Sequence, residues 1–442
     1  MNLKKLLINI LSGNIQKKYK MTKKFQSIKG FYDVLPERQK FWRFFEGKIL
    51  ALLDQYYYEE IGLPIVEETA LFEKSVGSHT DIVEKEMYSW EDKLNENRLT
   101  LRPEGTAGCV RALIQNNLAY NGPIKLFYRG PMFRHENVQK GRQRQFNQFG
   151  VEAFGLPSFY VDAEQIIFLN RLWAELGLKN ITLELNSIGD SEDRVIYKKK
   201  LVDYFKKNQN LLDADALKRI ETNPLRILDS KNPKMQDLLS KAPKIIDYLS
   251  KDAKDHFDGL CALLSENNIS YKINNRLVRG LDYYNRTVFE WITKDLGSQS
   301  AVAGGGRYDL LVENLGGSKT FACGFGIGIE RIILLLEGNP SLINANPDIY
   351  IINLGGKAKV FAFSISEALR ESGLKVALNM DESSFKSQMK KADKSNAELA
   401  IIIGDDEVEK QVVQVKFIRS TGSQETILNS DLIKFMNNYF KQ

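Results

Sequence analysis

From Glu37 to Tyr57 the apolar side chains Phe41, Phe44, Phe45, Leu52 and Tyr56 recur at helical spacing, which predicts an amphipathic helix with a broad apolar stripe. Gly62 and Pro64 break that pattern, and the segment LPIVEETALF around them reads as extended. Farther along, Ile124 to Glu136 (IKLFYRGPMFRHE) and Phe146 to Phe154 (FNQFGVEAF) read as two strands. The basic connection NVQKGRQRQ is too short for a parallel crossover, so the pair is predicted to be an antiparallel hairpin. A helix is expected from about Asp162 to Leu176 and a strand from Ile181 to Leu185. Residues from about 190 to 268 are Lys-rich and helical in pattern, which suggests an inserted helical subdomain. Strand signals return with TVFEWIT and QSAVA, then a glycine-rich loop GGGRYD, then a strand running into a helix at FACGFGIGIERIILLLEG. Beyond Asn344 to Asp348, the segments from IYIINL to VVQVKFI alternate strand and helix patterns, so a separate α/β domain of roughly 95 residues is expected.

Strand parity then separates faces. Gln148, Gly150 and Glu152 share one face of their strand, opposite Phe149, Val151 and Ala153, and Arg134 and Glu136 share a face of the partner. Either the hairpin has a solvated surface with an exposed ion pair, or it carries a polar site. In the stretch Phe321 to Ile329, Ala322, Gly324, Gly326 and Gly328 fall together. Four small residues in register fit close approach of a flat ligand to bare backbone, or tight packing against another strand. Arg331 follows at a helix start, where a guanidinium opposes the helix dipole unless an anion such as phosphate lies nearby. GFGIGIE lacks the third glycine of GxGxxG, and GxxxxGK[ST] is absent, so neither a Rossmann nor a P-loop reading holds.

Composition narrows the class. A chain of 442 residues exceeds one ordinary core and predicts two or three domains. Hydrophobic content of 43% and charged content of 27% fit a globular enzyme rather than a disordered or membrane chain. Residues 1 to 24 carry seven Lys and no acid, and subtracting these from the net +6 leaves −1 for the rest. Nucleic acid would therefore have to be held by local basic patches. This basic N-terminal extension (1–24) reads as dispensable before Met21, as a targeting segment, or as an arm touching RNA; its apolar run Leu6 to Leu11 is far below the ~20 residues that span a membrane. Cys109, Cys261 and Cys323 are too scattered for a disulfide framework and fit a reducing compartment, while His79, His135 and His256 are too dispersed to predict a metal site.

LRPEGTAGCVRA followed by YRGPMFRHENVQKGRQRQFNQFGVEAFG resembles the second signature motif of class II aminoacyl-tRNA synthetases in its histidyl form, and GFGIGIER resembles the third. LVRGLDYYNRTVFEW (Leu277 to Trp291) and AGGGRYD (Ala303 to Asp309) resemble two peptides peculiar to histidyl enzymes, Pro64 resembles the dimer-interface proline of motif 1, and TDIVEKEMY and NPLRILDSK fit the same pattern. The resemblance runs from about Phe25 to the C-terminus and implies an α+β catalytic domain on an antiparallel sheet (25–346, insertion about 190–268), followed by an anticodon-binding-like α/β domain (347–442). It implies ATP-dependent ligation of L-histidine to tRNA(His) by a cytoplasmic homodimer, with Mg2+ accompanying ATP, no tightly bound cofactor and no membrane association.

By the same resemblance, Arg134 would hold the α-phosphate, Arg331 the γ-phosphate, and Arg279 would stand beside the α-phosphate where related synthetases place a metal ion. Glu136 and Arg144 would complete the ATP contacts, with Arg142 an alternative to Arg144 in the same loop. Glu104, Thr106 and Gln148 would surround the histidine ammonium, and Glu152, Tyr283 and Tyr284 its imidazole. The loop Asn137 to Gln145, with Lys140, Arg142 and Arg144, is either a solvated hairpin tip or the part that approaches the tRNA acceptor end. A regulatory subunit of the same fold is the rival reading; it would be expected to lack the C-terminal domain and an intact Arg279.

Overall fold

The computed structural model describes residues 25–77, 80–297, 301–343, 345–420 and 422–440; the N-terminal extension and His79 lie outside them. The chain divides into two compact units, with the boundary between Leu342 and Ile343.

An eight-stranded sheet organises the first unit. Its strands are β1 (Glu59–Glu60), β2 (Ile124–Phe133), β3 (Gln145–Phe154), β4 (Ile181–Ser187), β5 (Tyr271–Ile273), β6 (Asn285–Thr293), β7 (Ala301–Arg307) and β8 (Ala322–Gly328). They lie in the order β1-β2-β3-β8-β7-β6-β4-β5. The pairs from β2 to β4 are antiparallel, and the two edge strands attach in parallel. The hairpin predicted for β2 and β3 is therefore present. Between Ser187 and Tyr271 the chain forms only helices and 3-10 turns, among them α5 (Ser191–Lys207), α6 (Ala214–Thr222) and α7 (Lys251–Glu266). A smaller sheet, in the order Val66–Glu68, Arg98–Leu101, Tyr88–Glu91, lies apart from the large one.

The predicted first helix runs as α1 (Pro36–Gln55) and buries Phe41, Trp42, Phe45, Ile49, Leu52 and Leu53. Pro at its N-terminus suits a position whose N–H needs no helical partner. The next helices are α2 (Thr69–Val76), α3 (Thr106–Gln115) and α4 (Phe159–Glu175), and α8 (Ile329–Leu336) follows the last strand of the sheet. Phe45 of α1 meets Phe149 of β3 edge-on at 5.6 Å, and Phe168 of α4 lies 5.8 Å from Phe325 of β8. One face of the sheet is thus a core against helices, as strand parity requires.

Four local expectations are corrected. GGGRYD is not a loop: Gly304 to Arg307 form the end of β7, hydrogen-bonded on both sides. The segment LPIVEETALF is extended only as far as Glu68, and Thr69 onward is α2. Arg134 and Glu136 lie past the end of β2, so strand parity does not govern them; backbone bonds from Arg134 N to Arg144 O and from Glu136 N to Arg134 O make a turn there. The helix expected from Asp162 begins at Phe159, where the Ser158 hydroxyl accepts from Tyr160 N at 3.4 Å.

The second unit carries a sheet of β9 (Ile349–Leu354), β10 (Val376–Leu378), β11 (Leu399–Gly404), β12 (Val412–Phe417) and β13 (Gln424–Leu428), in the order β10-β9-β11-β12-β13. Its helices α9 (Gly356–Glu371) and α10 (Phe385–Lys394) cover it, with Ala358, Ala362 and Leu369 of α9 packed in one core cluster and Ala392 of α10 in another. A short helix Asp405–Lys410, β13 and a final helix Asn429–Phe440 complete the unit and were not distinguished in the sequence pattern.

Arg307, at the end of β7, is fully buried and ties the sheet to the start of α4. Its guanidinium donates to Asp162 Oδ2 (2.5 Å), Asp309 Oδ1 (3.1 Å), Leu156 O (3.1 Å) and Ser158 O (3.0 Å). Burial pushes the Asp162 carboxyl up, but Arg307 and His256 beside it hold the group down at about 2. Arg307→Ala is expected to destabilise this unit by about 3–5 kcal/mol, because it strands a buried carboxylate. All four tryptophans (Trp42, Trp90, Trp173, Trp291) lie in the first unit, so urea unfolding followed by their fluorescence reads it directly. A depressed carboxyl contributes fully above its ordinary 3.8 and loses its contribution as pH falls toward about 2, so the wild type should lose stability across that window more steeply than Asp162→Asn, which has no titrating group at that position.

Candidate active site

The face of the sheet opposite the helices forms the floor of a cleft enclosing about 1090 Å³, part of it open to solvent. Its walls include Glu104, Thr106, Arg134, Glu136, Gln148, Arg279, Tyr283, Tyr284 and Arg331, so nine of the eleven residues singled out in the sequence meet around one space. Glu152 and Arg144 are not among the lining residues.

Three arginines reach the cleft from separate elements. Arg134, just past β2, donates its Nε to Pro103 O at 2.8 Å and lies 5.2 Å over the Phe146 ring. Arg331, in the first turn of α8, donates to Gly141 O (3.2 Å) and Ala301 O (2.6 Å). Arg279 donates Nη1 to Glu290 Oε1 at 2.5 Å, while its buried Nε has no hydrogen-bond partner. Glu136 is buried and paired with Arg142, which also lines the cleft. Arg144 turns elsewhere: its Nε donates to Glu136 O at 3.3 Å, and its stem crosses Gly30, where a Cβ would come within 2.6 Å. The sequence gives two arginines two residues apart in one loop, and the structure brings Arg142 rather than Arg144 to the wall.

The amino-acid end is a network around a buried carboxylate. Glu152 Oε1 accepts from Thr106 Oγ1 (2.9 Å) and Tyr128 OH (3.1 Å), and its Oε2 accepts from Tyr308 OH (2.5 Å). Among the described residues no ion pair balances it, and burial raises its carboxyl to about 8 despite these hydroxyl donors. Thr106 and Tyr128, which donate to it, line the cleft, while Glu152 itself is buried and is not among the lining residues. Glu104 lies at the start of α3, where its two oxygens accept from Thr106 N (2.7 Å) and Ala107 N (2.9 Å). Its burial raises its pKa, and those two N–H groups work against the rise. Tyr283 and Tyr284 pack together with ring centroids 4.6 Å apart.

The glycines have two explanations. A Cβ on Gly324 would fall 1.6 Å from Glu152 Oε2, and one on Gly304 would fall 2.5 Å from Arg279 Nη1, so these positions stay bare for side chains of the protein itself. A Cβ on Gly326 or Gly328 would meet nothing closer than 3.9 Å, and both line the cleft, as close approach of a ligand requires. Tyr128, Tyr308 and Glu290 join the site without having been assigned to it, and Arg142 takes the place on the wall assigned to Arg144. Tyr128 had a legible signal in its register, since it pairs with Gly150, where a Cβ would lie 2.0 Å from its ring.

A family model described as Histidyl-tRNA synthetase matches residues 30–332, and one described as Anticodon binding domain matches residues 348–439. A histidine–tRNA ligase from Methylobacillus flagellatus is 56% identical over 94% of this chain and 100% of its own, and one from Dechloromonas aromatica is 51% identical over 93% and 96%. The apo crystal structure of S. aureus histidyl-tRNA synthetase superposes with a TM-score of 0.76 at 36% identity, covering 95% of this chain and 100% of that one. A Bacillus halodurans structure described as an ATP phosphoribosyltransferase regulatory subunit/histidyl-tRNA synthetase, 22% identical with a TM-score of 0.62, shares the fold.

The state of Glu152 has a measurable consequence. A carboxyl raised in the fold from 4.5 to about 8 contributes stability in full below pH 4.5, and that contribution is lost as pH rises through about 8. Urea midpoints of the wild type should therefore fall between pH 6 and pH 9 more steeply than those of Glu152→Gln, which carries no titrating group there. Parallel pH profiles would show that Glu152 is already ionised at pH 6.

Proposed function

The chain belongs to the histidyl-tRNA synthetase family, and on that premise we propose which of its residues carry each part of the reaction. It joins L-histidine to tRNA(His) at the expense of ATP, through a histidyl-adenylate, releasing AMP and diphosphate. Activation is attack of the histidine carboxylate on the α-phosphate, which needs positioning and charge stabilisation rather than a nucleophile from the protein. The observation that carries the assignment is the convergence of Arg134, Arg279 and Arg331 on one cleft whose floor is bare at Gly326 and Gly328.

Arg134 and Arg279 flank the α-phosphate and take up the charge that grows on its oxygens during attack, and Arg331 takes the γ-phosphate. Glu136, held by Arg142, faces the nucleotide. Glu104, Gln148 and Thr106 receive the ammonium of histidine; a carboxylate already bonded to two backbone N–H groups is fixed in direction before the ligand arrives. Tyr283 and Tyr284 meet the imidazole, with Glu152 acting behind them through the hydroxyls of Thr106 and Tyr128. Buried hydrogen-bonding groups of this kind reject side chains that leave them unpaired.

Among the described residues no group of three or more His, Cys, Asp or Glu could hold a metal ion. Glu136 and Glu290 are two carboxylates on the cleft wall, which fits a Mg2+ held mainly by phosphate oxygens and water. That ion would neutralise charge on the leaving diphosphate.

The C-terminal unit receives the anticodon part of the tRNA, and the loop 137–145 receives the acceptor end. A homodimer is supported by exposed apolar side chains on the small sheet and beside it, with Val66 40% and Trp90 42% exposed on its strands and Ile65, just before them, 42%. Work in the cytoplasm is supported by three unpaired cysteines, and no helix among the described residues is long and apolar enough to cross a membrane.

ATP/pyrophosphate exchange run with each amino acid separately should respond to histidine alone. Arg279→Ala should lower that exchange by at least about 10²-fold with the fold intact. A nearly unchanged rate would remove Arg279 from the mechanism. Sedimentation should give one species of twice the monomer mass, and a fully active monomer at micromolar concentration would refute the dimer.

A further inference from the structure

Arg279 lies within the segment Arg276 to Tyr284, and among the described residues no backbone N–H from Val278 to Leu281 makes a backbone hydrogen bond. Something other than its own secondary structure has to place it. Its guanidinium is held by Glu290, and the holds on its flanks come from both the helical insertion and the catalytic body. Arg276 Nε donates to Leu228 O at 3.2 Å. Asn223 Nδ2 donates to Asp282 Oδ1 at 3.5 Å, and Arg194 Nη1 of α5 donates to Tyr284 O at 2.6 Å. Arg226 lies across Gly280, its two terminal nitrogens 3.7 and 3.9 Å from where a Cβ would stand, with Asp282 as its strongest electrostatic partner. On the opposite side the catalytic body holds the segment as well: Asp282 N donates to Val76 O at 3.2 Å, beside Gly77, where a Cβ would come within 2.7 Å of the Asp282 carboxylate, Asn186 Nδ2 of β4 donates to Leu277 O at 3.1 Å, and Glu290 of β6 accepts from Arg279 Nη1 at 2.5 Å.

The segment doing the gripping is itself fixed. Asn223 ends α6, and Pro224 starts a 3-10 turn, Pro224–Ile227, that cannot extend the helix. Ile227 and Leu228 are buried, and they share a core cluster with Leu277 from the gripped segment. Asp282 thus has an insertion side chain on one face and the catalytic body on the other.

We propose that Asn223, Arg226 and Leu228 of the helical insertion form a socket that positions Arg279 for amino-acid activation, so that the insertion controls the first chemical step. This rests on the reading of Arg279 as a phosphate contact. The insertion residues touch neither substrate; they act through Arg279. A displacement of the insertion by a few tenths of an ångström is passed to Arg279 through Leu228 and Asp282, because neither end of the segment can yield independently.

The test is a double-mutant cycle in the full-length protein, read by histidine-dependent ATP/pyrophosphate exchange. Arg226→Ala should lower kcat by about tenfold or more while the KM values for ATP and histidine stay within about twofold, the pattern for a contact made chiefly in the transition state. Arg226→Lys, which keeps the charge opposite Asp282, should recover part of the loss. In an Arg279→Ala background, Arg226→Ala should change the remaining rate by less than about twofold, since two residues acting through one group are not additive. Asn223→Ala, which removes a single hydrogen bond, should give a smaller loss with the same non-additivity, and serves if Arg226→Ala fails to fold. Multiplicative losses, or an unchanged kcat in both single variants, would overturn the socket. A near-normal rate for Arg279→Ala alone would instead overturn the assignment of Arg279, and with it the premise of the socket.

Discussion

In β3 and β8 the two faces of each strand are chemically opposed, and the catalytic unit is arranged around that opposition. Phe149, Val151, Phe325 and Ile327 share one buried face, while Gln148, Glu152 and the glycines at 150, 324, 326 and 328 share the other, from which Gln148, Gly326 and Gly328 line the cleft. The pairing puts a bare residue opposite a functional one: Gly324 faces Glu152, and Gly328 faces Gln148. A one-residue slip would exchange the faces and drive a carboxylate into the core, so register is fixed by burial as strongly as by hydrogen bonding. Every other part of the site, the arginines included, is placed relative to that floor.

Burial alone does not decide the state of an acid here. Asp162 and Glu152 are both removed from water, yet one carboxyl is held at about 2 and the other rises to about 8. The difference is the partner. Arg307 presents a guanidinium to Asp162, whereas Glu152 meets only hydroxyl groups, whose dipoles recover part of the lost hydration and supply no charge. The first arrangement is structural and tolerates no vacancy. The second leaves a carboxyl whose proton is sensitive to what enters the cleft beside it.

Parity made the division of β3 and β8 legible from the chain alone, because a period of two needs no tertiary information. Resemblance located Arg279 and the tyrosine pair, which no periodicity could single out, and gave roles to Arg134 and Arg331, which strand parity and the helix dipole had already marked. Three things were hidden for physical reasons. Gly304 to Arg307 read as a loop because glycine has low strand propensity, and only neighbours on both sides hold them in the sheet. Arg144 and Arg142 are equivalent in composition, and the turn geometry that separates them depends on Gly30, more than a hundred positions away. Glu152 sits behind hydroxyls because Tyr128 and Tyr308 arrive from other strands, a fact of packing rather than of order along the chain.

The bare positions also bear on how the protein could change under selection by an inhibitor. Drug resistance commonly arises when a pocket gains a side chain that collides with the drug but spares the substrate. At Gly304 and Gly324 that route meets the protein itself, since a methyl group would fall 2.5 Å from Arg279 Nη1 or 1.6 Å from Glu152 Oε2 and force that side chain to move. A compound anchored over those two residues would press on positions where a change to alanine also displaces Arg279 or Glu152. One resting on Gly326, where the space above the backbone is open, would not have that protection.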